Sequence, residues 1–430
     1  MRVVLPVIAA CAAGAALAGG CASGAGDSAA PAPTRPELAS QLSRTLTAKR
    51  LRPHLAALQR IADDHGGTRV AGSPGYAASV AYVRRALAAA GYEPKVSSFP
   101  FVAYRERVER AQQLAPRRRA IRVEAIDYSP STPAGGLRGR VAFAAGDGCS
   151  PDDFNGTRGR IAVAGRGVCF ISQKAQNAAH AGAVALIVFN PVPGPIDATL
   201  GDPNASPIPV AAIEAPVARS LRASGATLLL ELRTEKRPSR STNVIAETHR
   251  AGPVLIVGAH LDSVVAGPGI NDNGTGVAAL LELARAIRLR TPTLAVRFAF
   301  WGAEEFGLIG SRAYAASIDP EGVIGYLNLD MLGSPGGSAA VYEGRFADRM
   351  LRYFESRGLP AETIDLTGRS DHFPFEQRGI PTGGLFAGDG GRCYHSACDR
   401  LGGVNMKLLT QLASAAAFSI ASIAPLRPSP

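Results

Sequence analysis

Val254-Leu255-Ile256-Val257-Gly258-Ala259-His260-Leu261-Asp262-Ser263 is the stretch that decides the fold. Six apolar or small residues with no polar interruption mark a strand buried on both faces, as in a parallel sheet. The strand ends on a histidine and an aspartate. Asn271-Asp272-Asn273-Gly274-Thr275-Gly276 follows as a glycine-rich turn that runs into an apolar helix over 277–287. A second apolar run, 294–301, delivers Glu304-Glu305, and a third, 323–329, delivers Asp330. In an open α/β sheet, side chains just past the carboxyl ends of the strands collect in one crevice. The expected architecture is a mixed, mainly parallel sheet flanked by helices.

Five residues form a candidate metal set: His260, Asp272, Glu305, Asp330 and, from Cys393-Tyr394-His395-Ser396-Ala397-Cys398-Asp399, His395. Each alone has an ordinary explanation, such as a helix cap for Asp272 or a solvated turn for Glu304-Glu305. Their joint placement at successive strand ends does not. Imidazole and carboxylate donors suit zinc or a related first-row metal better than calcium. A single catalytic metal keeps a position open and seldom needs five protein ligands, whereas two metals sharing a carboxylate use five economically. Asp272 is the natural bridge, on a turn where Gly274 and Gly276 allow close approach. Glu304, beside Glu305, is then placed to act as general base on a metal-activated water.

The 430 residues suffice for two domains. The net charge of +11 is spread along the chain, with Arg117-Arg118-Arg119 the only compact run, and no stacking aromatics flank it. Nucleic-acid binding is therefore not expected. Arg2, an apolar stretch to Leu17 and small residues up to Cys21 form an export signal. Leu17-Ala18-Gly19-Gly20-Cys21 resembles a bacterial lipobox, departing from it in having Ala18 rather than leucine three before the cysteine. The expectation is a lipid anchor at Cys21, with plain secretion as the alternative. No later uninterrupted apolar run of about twenty residues signals a membrane span. Residues 22–36 are a tether rich in Gly, Ala, Ser and Pro. Cys149, Cys169, Cys393 and Cys398 permit three disulfide pairings, of which 149–169 with 393–398 keeps each pair within its own domain. Zinc binding by the four is the competing reading, without two-residue knuckle spacing to support it.

Between residues 108 and 240, short apolar strands alternate with Gly, Pro and Ser clusters, so this segment reads as an inserted module. Gly148-Cys149-Ser150-Pro151-Asp152-Asp153-Phe154, Gly159-Arg160-Ile161-Ala162-Val163 and Arg166-Gly167-Val168-Cys169-Phe170 resemble the protease-associated (PA) domain, a small β-rich module inserted in several exported peptidases. Residues 37–107 and 241–430 would then form one catalytic domain.

That catalytic part resembles the co-catalytic di-zinc aminopeptidase family. The resemblance runs from Gly66-Gly67-Thr68-Arg69 through His260-Leu261-Asp262-Ser263, Asn271 to Gly276, Trp301-Gly302-Ala303-Glu304-Glu305 and Asn328-Leu329-Asp330-Met331 to Cys393-Tyr394-His395. It implies two zinc ions, one completed by His260 and Asp330 and the other by Glu305 and His395, with Asp272 bridging and Glu304 as base. It also implies that Asp262 orients His260, that Tyr394 donates to the tetrahedral intermediate, and that Arg369, in Gly368-Arg369-Ser370-Asp371-His372, helps position the substrate. The substrates implied are peptides with a free N-terminus. Carboxypeptidase or glutaminyl-cyclase chemistry on the same site, and a binding protein without activity, are the rivals. Calcium dependence has no signal in the sequence.

Overall fold

The computed structural model describes residues 34–191, 198–248 and 251–427. The export signal, Cys21 and the tether as far as Pro33 lie outside the described residues. The first helix, Arg35–Ser43, begins within the stretch assigned to the tether. Thr34 and Glu37 form a capping box there, with Glu37 Oε2 accepting from the Thr34 amide at 2.6 Å.

Val254–His260 is buried along its whole length because both of its edges are filled. Ala295–Trp301 pairs with it in parallel on one side and Val323–Leu329 in parallel on the other. Thr382–Phe386 continues the parallel set beyond Val323–Leu329. Ala340–Tyr342 then runs antiparallel, and Glu362–Ile364 closes that edge. One face of the sheet buries Leu255 and Val257 against Thr275–Arg288, Ala48–Asp64 and Met406–Ile423. The other buries Ile256 and Trp301 beside Tyr326 and Phe375. The sheet is thus mixed and mainly parallel, and its four central parallel strands all end at one edge.

Lys95–Ala115 and Thr227–Glu247, of 21 residues each, form a long antiparallel ribbon from Lys95 opposite Ile245 to Ala115 opposite Thr227. Its near end pairs with Ala295–Trp301 and its far end with Leu137–Phe143 of the inserted module. The expected module limits, 108 and 240, both fall within this ribbon.

Beyond the ribbon, Leu137–Phe143, Ile161–Gly165, Ala185–Phe189 and Val210–Ile213 form a parallel sheet with the helices Ile171–His180 and Ala215–Ser224 packed on it. Disulfides join Cys149 to Cys169 and Cys393 to Cys398, the within-domain pairing. Closing a loop with a sequence separation of 20 residues contributes about 3 kcal/mol in the chain-entropy model. Replacing Cys149 and Cys169 together by serine is expected to lower the thermal midpoint of the module by several degrees, read by calorimetry, without changing zinc content.

The module does not stand apart from the catalytic part. Its Ile126, Tyr128 and Phe154 share one apolar cluster with Phe101, Ala303 and Phe306. The Tyr128 hydroxyl reaches the carbonyls of Val102 at 2.9 Å and Phe306 at 3.0 Å. The turn that carries Glu304 and Glu305 is therefore backed by the insertion.

Candidate active site

The carboxyl ends of the parallel strands bring His260, Asp272, Glu304, Glu305, Asp330 and His395 into one cleft, with Arg369 and Tyr394 also on its walls. Asp272 lies at the centre. Its Oδ1 is 3.1 Å from His260 Nε2, and its Oδ2 is 3.1 Å from His395 Nε2. Asp330 Oδ1 stands 3.3 Å from His260 Nε2, while Glu305 Oε2 stands 3.1 Å from His395 Nε2. Three three-residue donor sets result, His260–Asp272–Asp330, Asp272–Glu305–His395 and His260–Glu304–Glu305, each with its ligand atoms within 4.8 Å of one another. The first two share Asp272.

Backbone geometry aims these side chains. Ala303, Met331 and His395 have φ of 57°, 51° and 49°, a region few residues other than glycine adopt. Each is a site residue or directly flanks one. Gly276 is required where it stands, since a Cβ there would lie 2.3 Å from Leu329 O. Gly274 is less constrained, with its closest neighbour at 3.2 Å, so of the two turn glycines singled out from the sequence Gly276 carries the close approach.

The turn around Asp272 is held from three sides. Asn273 donates to Leu329 O at 2.9 Å, tying the turn to the strand that ends in Asp330. Arg69 is wholly buried, and its guanidinium donates to the carbonyls of Leu261, Pro268 and Gly269. The Asp399 carboxylate accepts from the amides of Asn271 at 2.8 Å and Asp272 at 2.9 Å. Asp399 directly follows the Cys393–Cys398 loop that carries His395, so the two halves of the site are clamped together through it. Sequence reasoning assigned Asp399 no role, because its targets are backbone amides more than 120 positions away. Removing its carboxylate should loosen metal binding about 10–100-fold, the usual cost of losing an outer partner. Chelator competition on Asp399→Ala measures this directly.

Asp330 is oriented by a buried relay. The Trp301 indole donates to Tyr326 at 2.8 Å, Tyr326 to Asn328 at 2.7 Å, Asn328 to Ser370 at 2.7 Å, and Ser370 to Asp330 Oδ2 at 2.6 Å. Asp262 departs from the simplest expectation. Its carboxylate is 3.9 Å from His260 Nδ1, and the nearer acceptor for that nitrogen is the Asp262 carbonyl at 3.3 Å. The carboxylate accepts instead from the amides of Glu304 at 3.2 Å and Glu305 at 3.4 Å. Two backbone donors outcompete one ring N–H for it, so Asp262 sets the Glu304-Glu305 turn while its main chain faces the imidazole.

Tyr394 stacks on the His395 ring at 3.9 Å. Arg369 sits at the rim, about half exposed, 3.6 Å from Asp389. His372 is buried against Tyr342, burial lowers its pKa to about 4, and it belongs to none of the donor sets.

The electrostatics call for a cation. Burial pushes Glu304 well above the usual carboxylate range and Glu305 up to about 7. Burial acts on Asp272 in the same direction, but hydrogen bonds from His260 and His395 outweigh it and hold Asp272 below its ordinary value. Glu305 Oε1 and Asp330 Oδ1 are buried with no hydrogen-bond donor. Buried carboxylates persist when paired with charge or metal. Two imidazoles and three carboxylates facing one another across about 3 Å are a donor set that fits zinc.

Residues 243–420 match peptidase family M28, and residues 137–227 match the PA domain. An aminopeptidase of Pseudomonas aeruginosa is 37% identical, covering 88% of this chain and 81% of its own. A probable lipoprotein aminopeptidase of Mycobacterium tuberculosis, LpqL, is 37% identical over 83% and 77% of the two chains. Among solved structures, an aminopeptidase from Aneurinibacillus sp. strain AM-1 superposes with a TM-score of 0.76 at 29% identity, over 91% of this chain and 97% of that one. A zinc aminopeptidase from Bacillus subtilis gives 0.66 at 25% identity, over 88% and 95%. The chain belongs to peptidase family M28, with a PA domain inserted in it. Zinc is the metal its site is built for.

Proposed function

We propose that this protein is an exported, lipid-anchored aminopeptidase that removes N-terminal residues from peptides with two zinc ions per chain. The observation that carries the two-metal reading is Asp272, whose two carboxylate oxygens each face a different histidine at 3.1 Å. His260 and Asp330 complete one zinc site, and Glu305 and His395 the other. Zinc supplies Lewis acidity that lowers the pKa of water from 15.7 toward about 7. The chain's own groups do the rest.

Glu304 is the general base. Burial raises its proton affinity, so it takes one proton from water as the oxygen adds to the scissile carbonyl carbon, then gives it to the leaving amine as the C–N bond breaks. Tyr394, at the cleft wall, donates its hydroxyl hydrogen to the oxygen that becomes negative. The carboxylates of Glu304 and Asp330 receive the substrate's ammonium group, which makes a free N-terminus a requirement. Arg369 lies where the bound peptide leaves the cleft. It is the one arginine or lysine lining the cleft among the described residues, and Asp389 faces it. A site for C-terminal carboxylates calls for more positive charge than that.

The lipobox-like stretch ending at Cys21 supports the anchor, and the name of the mycobacterial relative points the same way. Metal analysis of the purified protein is expected to return two zinc per chain, with activity lost to chelator and restored by zinc. One tightly held zinc with full activity would remove the bridging role from Asp272.

A further inference from the structure

Among the exposed large apolar side chains, two belong to one loop of the insertion. Val168 is 83% exposed and Phe170 60% exposed, on either side of Cys169. Among the described residues, Phe170 is the only aromatic in that exposed group. The loop is not slack. The Cys149–Cys169 disulfide closes it, and the first turns of the following helix grip its other end. Gln173 donates to Cys149 O at 3.2 Å, Asn177 to Gly148 O at 3.1 Å, and Lys174 to Asp147 O.

The Phe170 ring crosses from the insertion to the catalytic part. It tilts against Phe373 with centroids 6.4 Å apart. A Cβ placed on Gly368 would lie 3.1 Å from Phe170 Cε1. Gly368 immediately precedes Arg369 and Ser370, both on the cleft wall. Phe170 is therefore one residue removed from the cleft wall, packed on Gly368 beside Arg369 and Ser370, with much of its ring still facing solvent. A rigid aromatic held beside a binding site is preorganised for contact and loses little freedom on binding.

We propose that Phe170 is a specificity-determining residue that packs against an apolar side chain of the peptide on the leaving side of the scissile bond. The assignment rests on the aminopeptidase reading. The substrate's amine lies inside, at Glu304 and Asp330, so the chain beyond the cleaved bond runs outward past Arg369 toward Phe170.

The test uses leucyl p-nitroanilide and leucyl pentapeptides in which one phenylalanine or one serine is moved through positions two to five. Phe170→Ala is expected to lower kcat/KM about tenfold for the phenylalanine peptide at one of these positions, through KM, as expected for loss of an apolar subsite. Serine peptides and leucyl p-nitroanilide should stay within about twofold. Phe170→Leu should restore most of the loss. An unchanged phenylalanine-to-serine ratio at every position would overturn the proposal. So would an equal fall on p-nitroanilide and peptides, which would make the residue merely structural. Wild-type protein inactive on every free-amine substrate would overturn the aminopeptidase reading and this assignment together, whereas full wild-type activity with an unchanged ratio would sink this assignment alone.

Discussion

Glu304→Gln is expected to reduce kcat by about a thousandfold and to raise KM, because Glu304 also meets the substrate's ammonium group, while leaving zinc content near its wild-type value. General acid–base groups contribute about 10²–10⁴ in rate, and glutamine keeps the shape of the side chain while losing its proton affinity. The neighbouring Glu305 does not substitute, because its Oε2 is turned to His395 at 3.1 Å. The backbone of the turn is fixed from below by Asp262, through the amides of both glutamates, and from behind by Tyr128 of the insertion through Phe306. The substitution therefore removes a proton carrier without moving the turn. Single-turnover rates with parallel metal analysis decide the matter. A kcat within tenfold of wild type would assign the base role to another group.

Asp272→Ala is the second large effect. It leaves His260 with Asp330 on one side and His395 with Glu305 on the other, two protein ligands each, where catalytic zinc sites hold three. Zinc content is expected to fall below one per chain after dialysis, with kcat/KM reduced well beyond the about 10–100-fold that outer partners cost. Asp330→Ala and Glu305→Ala should each release one zinc and keep the other. Retention of both metals in Asp272→Ala would show that the bridge is supplied by something else.

The central strands were legible because Val254–His260 is filled on both edges and covered on both faces, which requires a continuous apolar run. The donor sets were legible because each parallel strand hands over its acidic or imidazole residue at the same edge. The long ribbon was not. Its middle stretch, where Arg105 stands opposite Glu235 with Glu106, Arg107, Lys236 and Arg237 next to them along the two strands, carries exposed and half-buried charged side chains and has no clear core-facing period. The Asp399 clamp and the reach of Phe170 were hidden for a different reason. Both join segments far apart in the chain, and neither partner carries a mark of the other in its local pattern. Asp262 shows the limit from within the motif, since the sequence told that an acid is needed there but not that backbone amides claim its carboxylate.

The most direct measurement compares leucyl p-nitroanilide with its N-acetyl derivative, using the protein lacking residues before Ser23 and loaded with zinc. Turnover confined to the free amine, abolished by chelator, is the predicted result, because Glu304 and Asp330 have a positive charge to meet only when the N-terminus is free. Equal turnover of the acetylated substrate would contradict the account, and so would hydrolysis that survives removal of the metal.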